Sequence, residues 1–294
     1  EVILVEKFKD IISPKVQKQL KSKNAVFIPN RSFEVYINDY DAIEKDFNVP
    51  VFGNKYLLRF EERGEKPNQY DILENANIKY PKIFKNAEDI DRLVIVKVPE
   101  KQRGFERAFF IVNTKAAFVS ESNRLIKQGR ITKEALAGAV IEEFITGVQV
   151  NFNFFYSPLN GRLELVGTDT RRQTNLEGIL KLTYQMQEKA LKNNQLEIKF
   201  EEAGHIAVTV LESLLEQAYE MGENFVKSAK DFSPLGVIGP FSLQSVITPG
   251  PPKKDIIVFD VSPRMPGSPA INATPYSAYL WGKPYSMGRR VAME

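Results

Sequence analysis

The sequence predicts an α/β chain, α+β taken as a whole, and three observations carry that prediction. A strand–helix–strand alternation fills residues 1–28, the pattern of a βαβ unit and hence of a parallel sheet. From residue 93 to residue 168, apolar runs are joined by hairpin signals, which point to antiparallel pairing. Further on, Ile256-Ile257-Val258-Phe259-Asp260-Val261-Ser262-Pro263-Arg264 reads as a buried strand, because β-branched and aromatic residues dominate it.

In order, residues 1–5 read as a strand, 9–23 as a helix with Ile11, Ile12, Val16 and Leu20 on one face, and 25–28 as a second buried strand. The opening Glu1-Val2-Ile3-Leu4-Val5, without a methionine, reads as a chain entered inside a strand, with a preceding segment completing the first domain. Loops at the carboxyl end of a parallel sheet bind ligands, so Ser32 and Asn54 are candidate contacts there, or turn and cap residues. A helix is predicted over 66–77, and Pro81 marks entry into a new section, with the domain boundary near residue 85.

The strand at 93–98 carries Lys97. A buried ammonium needs an anion, so this lysine either snorkels out at an edge or faces a phosphate. A polar loop, Glu100 to Glu106, and a strand at 108–112 complete a hairpin with a flap. Helices are predicted at 115–127 and 132–138, then a strand, Val140-Ile141-Glu142-Glu143-Phe144-Ile145-Thr146-Gly147. Antiparallel strands at 148–156 and 163–168 flank the turn Ser157-Pro158-Leu159-Asn160-Gly161, followed by Asp169-Thr170-Arg171-Arg172, charges that packing does not require. Residues 173–200 are polar and poorly periodic and read as a mobile segment, with His205 as a helix-entry residue. A helix at 210–230 carries a core stripe of Leu211, Leu214, Leu215, Ala218 and Met221.

A strand at 239–246 meets the strand at 256–264 across a hairpin tipped by Pro249-Gly250-Pro251-Pro252, which sets Gln244 beside Asp260. Strict alternation puts Asp260, Ser262 and Arg264 on one face and Ile257, Phe259 and Val261 on the other. Carboxylate, hydroxyl and guanidinium in a row suit a metal–phosphate site; the alternative is a strand running out to a solvated edge with a chance ion pair.

Composition narrows the chemistry. At 294 residues the chain is long enough for about two domains. The 40 basic and 37 acidic residues are spread along it, so no basic run marks a nucleic-acid partner, and no apolar stretch approaches the roughly 20 residues of a membrane span. The absence of cysteine excludes disulfides and thiolate chemistry and agrees with a cytoplasmic setting. One histidine excludes His-rich zinc sites, leaving carboxylates, Lys, Arg and a borrowed metal or phosphate. No Walker A or Gly-x-Gly-x-x-Gly pattern occurs, so phosphate binding needs another device.

That device resembles the ATP-grasp architecture, on three stretches in order: Val94-Ile95-Val96-Lys97 before a hairpin, the acidic hinge Ile141-Glu142-Glu143-Phe144-Ile145, and Asp260-Val261-Ser262-Pro263-Arg264 in place of Glu-x-Asn-x-Arg. Within that superfamily the chain resembles the archaeal 5-formaminoimidazole-4-carboxamide ribonucleotide synthetases of formate-dependent purine (IMP) biosynthesis. Phe52-Gly53-Asn54-Lys55, Gly147 through Tyr156, Gly239-Pro240-Phe241 and, most specifically, Pro275-Tyr276-Ser277 through Ser286-Met287-Gly288-Arg289-Arg290 carry it.

The resemblance implies an ATP-grasp domain at 86–294, with a flap subdomain to about 145 and a C-terminal subdomain from about 146, behind a parallel-sheet pre-ATP-grasp domain at 1–85 that is truncated at its start. It implies that ATP and formate give formyl phosphate, which the amine of aminoimidazole-carboxamide ribonucleotide attacks. Lys97 would hold the nucleotide phosphates; Glu143, Phe144 and Ile145 would take adenine through backbone groups. Gln244 and Asp260 would ligate Mg²⁺ or Mn²⁺, and Arg264 would act catalytically on the transferring phosphoryl group. Ser32, Asn54, Asp169 and Arg171 would face the ribonucleotide or formate. A homo-oligomer, trimer or hexamer, is implied as well.

The chain departs from the family pattern at Asn30-Arg31 for His-Gly, Asn153 for His and Leu211 for Arg, and its flap holds only Gly104, between Arg103 and Phe105. Two other readings stay open: an ATP-grasp ligase with a different carboxylate or amine, and a non-catalytic nucleotide-binding paralogue in a mixed oligomer.

Overall fold

A computed structural model describes residues 2–99, 109–192, 198, 202–250, 252–267 and 273–294. Short capped helices open the chain. In α1 (Pro14–Ser22), Ser13 caps and Pro14 fills the first turn, where a missing N–H costs nothing. Asn30 caps α2 (Arg31–Ile37), Asp39 caps α3 (Tyr40–Lys45), and Asn68 with Asp71 forms a capping box on α4 (Gln69–Asn75). Phe33, Ile37, Ile43, Phe47 and Leu58 form the core of this section.

The expected βαβ pairing is present only as one parallel bridge, Phe27 to Val51. Residues 2–5 are not a strand. Val2 and Leu4 are over 80% exposed, and among the described residues nothing pairs with them, so the run has no ladder to join.

A four-stranded antiparallel sheet follows, built from β1 (Ile83–Phe84), β2 (Val94–Lys97), β3 (Phe109–Val112) and, after α5 (Lys115–Lys127) and α6 (Lys133–Ala137), β4 (Val140–Glu143), in the order β1-β4-β2-β3. Val94, Val96, Phe110, Val112 and Ile141 bury one face together with Leu125 of α5. The two-residue period therefore turns Ile95, Lys97 and Glu142 to the opposite face. The expected flap, Glu100 to Glu106 with Arg103, Gly104 and Phe105, lies outside the described residues.

The larger sheet is antiparallel throughout. It consists of β5 (Val148–Ser157), β6 (Arg162–Gln173), β7 (Glu202–Ala207), β8 (Gly239–Thr248) and β9 (Asp255–Ser262), in the order β7-β6-β5-β8-β9. Two helices, α7 (Thr174–Leu180) and α8 (Tyr184–Leu191), occupy much of the segment expected to be mobile. Neither has an apolar stripe that composition reveals: α7 buries only Ile179, and α8 buries nothing. His205 lies inside β7, opposite Arg171, and not at a helix entry.

Helix α9 (Leu215–Phe232) packs Ala218, Met221, Phe225 and Ala229 onto Val150, Phe152, Phe154, Phe241 and Leu243, while the expected stripe residue Leu211 is 55% exposed. Gly222 permits that approach, since a Cβ there would lie 2.7 Å from Leu163 and 3.1 Å from the Phe154 ring. Two closing helices, α10 (Tyr276–Trp281) and α11 (Met287–Met293), cover one end of the sheet's other face through Phe155, Val166, Met287 and Val291.

Strict alternation fails in β9. The register runs Gln244 to Asp260 but Ser245 to Val258, so Phe259 is an extra residue. Ile256, Val258 and Val261 face the core as a result, and Phe259 stands beside Asp260 in the lining of the cleft described below. The expected grouping of Phe259 with Val261 is thus corrected by a bulge.

Candidate functional site

The register of the large sheet builds the floor of the site. Asp169, Asn151, Gln244 and Asp260 are successive partners across β6, β5, β8 and β9, a polar row over four strands on the face opposite α9. Gly147, just before β5, packs closely against β8: a Cβ there would fall 2.3 Å from the Ile247 carbonyl oxygen. Above the floor opens a cleft of about 730 Å³, walled by the smaller sheet and the N-terminal section. That volume is of the size that takes a small-molecule cofactor or substrate.

Of the residues expected from sequence, Lys97, Glu143, Phe144, Ile145, Arg171 and Asp260 line this one cleft. The Glu143 and Phe144 amides are already bonded to the Lys82 and Leu93 carbonyls, which leaves Ile145 as the first hinge residue beyond the paired register. Gln244 lies under the lining. Its Oε1 accepts from Arg171, and its Nε2 donates to Ser262 at 3.2 Å.

The other expected residues are placed elsewhere. Ser32 sits in the first turn of α2 and does not line the cleft, although Glu34, one position past Phe33, does. Asn54 is buried and fully engaged: it caps the 3₁₀ turn Lys55–Glu61 through Tyr56 N–H and donates to Ser233 and the Gly236 carbonyl. Arg264 is 6% exposed and stands behind the wall, donating to Glu61 at 2.5 Å, with Glu34 at 3.7 Å.

Four site residues escaped the sequence reading: Glu34, Glu61, Arg63 and Glu142. Arg63 donates to Glu142 at 3.1 Å, to the Tyr70 hydroxyl at 3.0 Å, to the Phe259 carbonyl at 3.2 Å and to Asp260 at 2.9 Å. Fully buried Glu142 also receives Lys97 at 2.5 Å and the Tyr70 hydroxyl. A signal for part of this was visible. Glu142 is an acid inside an apolar run, and the rule that demands an anion for Lys97 demands a cation for it.

Burial opposes ionisation of Asp260, but Arg63, Lys97, Arg171 and Arg264 together hold its carboxyl below the usual carboxylate range. Burial, and then the neighbouring Arg63 charge, pull the Lys97 ammonium below the ordinary lysine value. Glu34 moves the other way. Burial and the facing Glu61 raise it well above a normal carboxyl, against the opposing pull of Arg264. Its penalty is absent below the unfolded value near 4.5 and grows as pH rises. Glu34→Gln is therefore expected to gain about 1 kcal/mol over the wild type at pH 8 and nothing at pH 4.5, compared by urea denaturation.

Asp169 is fully buried and accepts from Asn151 at 2.8 Å, Asn153 at 2.6 Å and His205 Nδ1 at 2.6 Å, while His205 Nε2 meets Glu202 at 2.5 Å. These two carboxylates raise His205 to about 9. A raised histidine stabilises fully below its unfolded value near 6.5, and the contribution disappears as pH climbs through about 9. Roughly 2 kcal/mol of unfolding free energy should be lost between pH 6.5 and 9.5, and His205→Gln should flatten that slope.

As a cation site, Asp260 and Gln244 offer two hard oxygen donors in direct register. Among the described residues no group of three or more His, Cys, Asp or Glu could hold a metal. The donor set fits Mg²⁺ of the kind that keeps one or two protein oxygens and fills its shell with phosphate and water.

Residues 1–84 match a family described as "Protein of unknown function (DUF1246)", and residues 117–294 one described as "Domain of unknown function (DUF1297)". Relatives include the 5-formaminoimidazole-4-carboxamide-1-(beta)-D-ribofuranosyl 5'-monophosphate synthetase of Methanopyrus kandleri, 38% identical over 294 residues, covering 100% of this chain and 79% of that protein. The synthetase of the same name from Methanocaldococcus jannaschii is 37% identical over 298 residues, covering 99% and 78%. Among solved structures, the IMP biosynthesis protein PurP from Thermococcus kodakaraensis aligns with a TM-score of 0.68 at 24% identity, over 100% of this chain and 80% of that one. The D-alanine–D-alanine ligase of Bacillus anthracis complexed with ATP aligns at 0.56 and 15% identity, over 98% and 82%. The fold is ATP-grasp, as its sequence resemblance implied.

Proposed function

The chain belongs to the 5-formaminoimidazole-4-carboxamide-1-(beta)-D-ribofuranosyl 5'-monophosphate synthetase family, and from that membership we propose that it is an ATP-dependent carbon–nitrogen ligase that formylates 5-aminoimidazole-4-carboxamide ribonucleotide with formate. The observation that supports this reading best is the meeting of Lys97, the Glu143–Ile145 hinge and Asp260 in one cleft over the Gln244 row. In the reaction a formate oxygen attacks the terminal phosphoryl group and ADP leaves. The amine then attacks the formyl carbon, phosphate leaves, and the amine loses a proton.

Lys97 holds the nucleotide phosphates and the hinge takes the adenine edge. Asp260 and Gln244 would hold Mg²⁺ or Mn²⁺, which would supply positive charge to the phosphate oxygens. Arg171 donates to the Gln244 oxygen and would release it to a cation, and Arg264 orders Glu61 in the wall from behind. The cleft between the two sheets shields the acyl phosphate from water. Asp169 acts by shaping the floor that meets the ribonucleotide. The same reading carries a cytoplasmic homo-oligomer, trimer or hexamer, a division of the chain near residue 85, and no nucleic-acid or membrane partner; among the described residues no helix is long and apolar enough to cross a membrane.

The decisive assay supplies ATP, Mg²⁺, the ribonucleotide and ¹⁸O-formate. Formamide product is expected, with one formate oxygen in the released phosphate; nucleotide binding without product would sink the assignment. One observation favours a second reading. Asn30 and Asn153, where the family pattern has histidine, are both committed, Asn30 to capping α2 and Asn153 to Asp169. Neither offers a replacement imidazole, so a ligase for another acid or amine is the alternative, separable by screening carboxylates for ADP release.

A further inference from the structure

Among the described residues, Arg63 is the one side chain that joins all three walls of the cleft. It leaves the N-terminal section just past the 3₁₀ turn Lys55–Glu61 and reaches Glu142 of the smaller sheet and Asp260 of the larger. Its backbone is fixed, since Asn68 Nδ2 donates to the Arg63 carbonyl at 3.0 Å, and Asn68 is itself 2% exposed. Any rearrangement of Arg63 is therefore a swing of the side chain. The network holds two cations, Arg63 and Lys97, against two carboxylates, Glu142 and Asp260.

Those charges make Arg63 more than a strut. A divalent cation on Asp260 would sit beside the guanidinium that already neutralises that carboxylate, and like charges at such range repel. Glu142 keeps Lys97 and Tyr70 when Arg63 departs, so the guanidinium can leave without orphaning a buried acid. Nucleotide phosphates give the displaced guanidinium a partner that it binds in fork geometry.

We infer that Arg63 competes with a divalent cation for Asp260 and thereby couples cation binding to nucleotide binding: the cation alone is disfavoured, and the cation with nucleotide is favoured because the phosphates accept the displaced guanidinium. The inference rests on the ligase reading above. Arg63 is on this account a positioning residue for Asp260 and a binding residue for phosphate.

The test measures two affinities in the full chain: Mn²⁺ alone, by electron paramagnetic resonance, and ADP with saturating Mg²⁺, by calorimetry. Arg63→Gln should bind Mn²⁺ about tenfold more tightly and ADP about tenfold more weakly. Arg63→Lys, which keeps the charge and loses the fork, should shift both in the same senses by about threefold, and it carries the test should the glutamine variant not fold. A purely structural arginine would weaken both together or neither, and either pattern overturns the inference. If the wild type binds no ADP with Mg²⁺, the ligase reading itself falls, and the inference with it; if it binds ADP and the variants match it, only the inference falls.

Discussion

Asp260→Ala is expected to reduce formamide formation by about 10²–10³-fold, because it deletes the only carboxylate on the Gln244 row that reaches the cleft, and electrostatic clamps on a transferring phosphoryl group contribute on that scale. Asp169, the row's other carboxylate, is enclosed by Asn151, Asn153 and His205 and cannot take over. The fold should survive. Arg63 retains Glu142, Tyr70 and the Phe259 carbonyl, and β9 retains its ladder to β8. Steady-state rates at saturating ATP, with Mg²⁺ varied, provide the check, and the Mg²⁺ concentration for half-maximal rate should rise. A variant within about threefold of the wild type would remove Asp260 from the cation site.

The second large effect is on stability. Arg290 of α11 is buried, donates to Glu164 at 2.8 and 3.1 Å and to Glu294 at 3.0 Å, and lies 3.9 Å above the Phe155 ring. Removing one partner of a buried pair commonly costs 3–5 kcal/mol, yet Glu164 would still receive Arg162 and the Trp281 indole. Arg290→Ala is thus expected to lose roughly 3 kcal/mol, read as a lower urea midpoint at unchanged slope. Arg290→Met with Glu164→Leu should recover most of it, since a packed apolar pair needs no desolvation of charge. A single variant within about 0.5 kcal/mol of the wild type would show the pair to be inconsequential.

These two residues illustrate what the sequence could disclose. The Gln244–Asp260 pairing was legible because one hairpin with a Pro-Gly tip sets it, a local relation. The terminal Ser286 to Arg290 motif was recognisable as a family mark, but its role was not: Arg290 anchors a helix to Glu164, 126 residues earlier, and Arg289 covers the Tyr285 ring. Lys97 showed itself as a charge inside an apolar run. Its partner Glu142 did so equally, yet pairing them needed the antiparallel register of β2 and β4. The bulge at Phe259 was invisible, because nothing in composition marks an inserted residue in an otherwise regular β-run. In α8 and β7 the periodic signal itself is absent, since edge and surface elements bury too little to write one.

The Arg63 bridge has a further consequence, in the order in which the molecule is made. Its contacts to Glu142 and Asp260 close loops of 79 and 197 residues. Growing from the N-terminus at about 5–20 residues per second, a nascent chain carries Arg63 for roughly 10–40 seconds before Asp260 has been synthesised. Among the described residues, two hydrophobic clusters, those of the N-terminal section and of the smaller sheet, lie wholly before Asp260 and can meanwhile collapse on their own. The site cannot assemble piecemeal. Competence to hold nucleotide should arrive in one late step, after most secondary structure has formed, because contacts of such long sequence separation are slow to make.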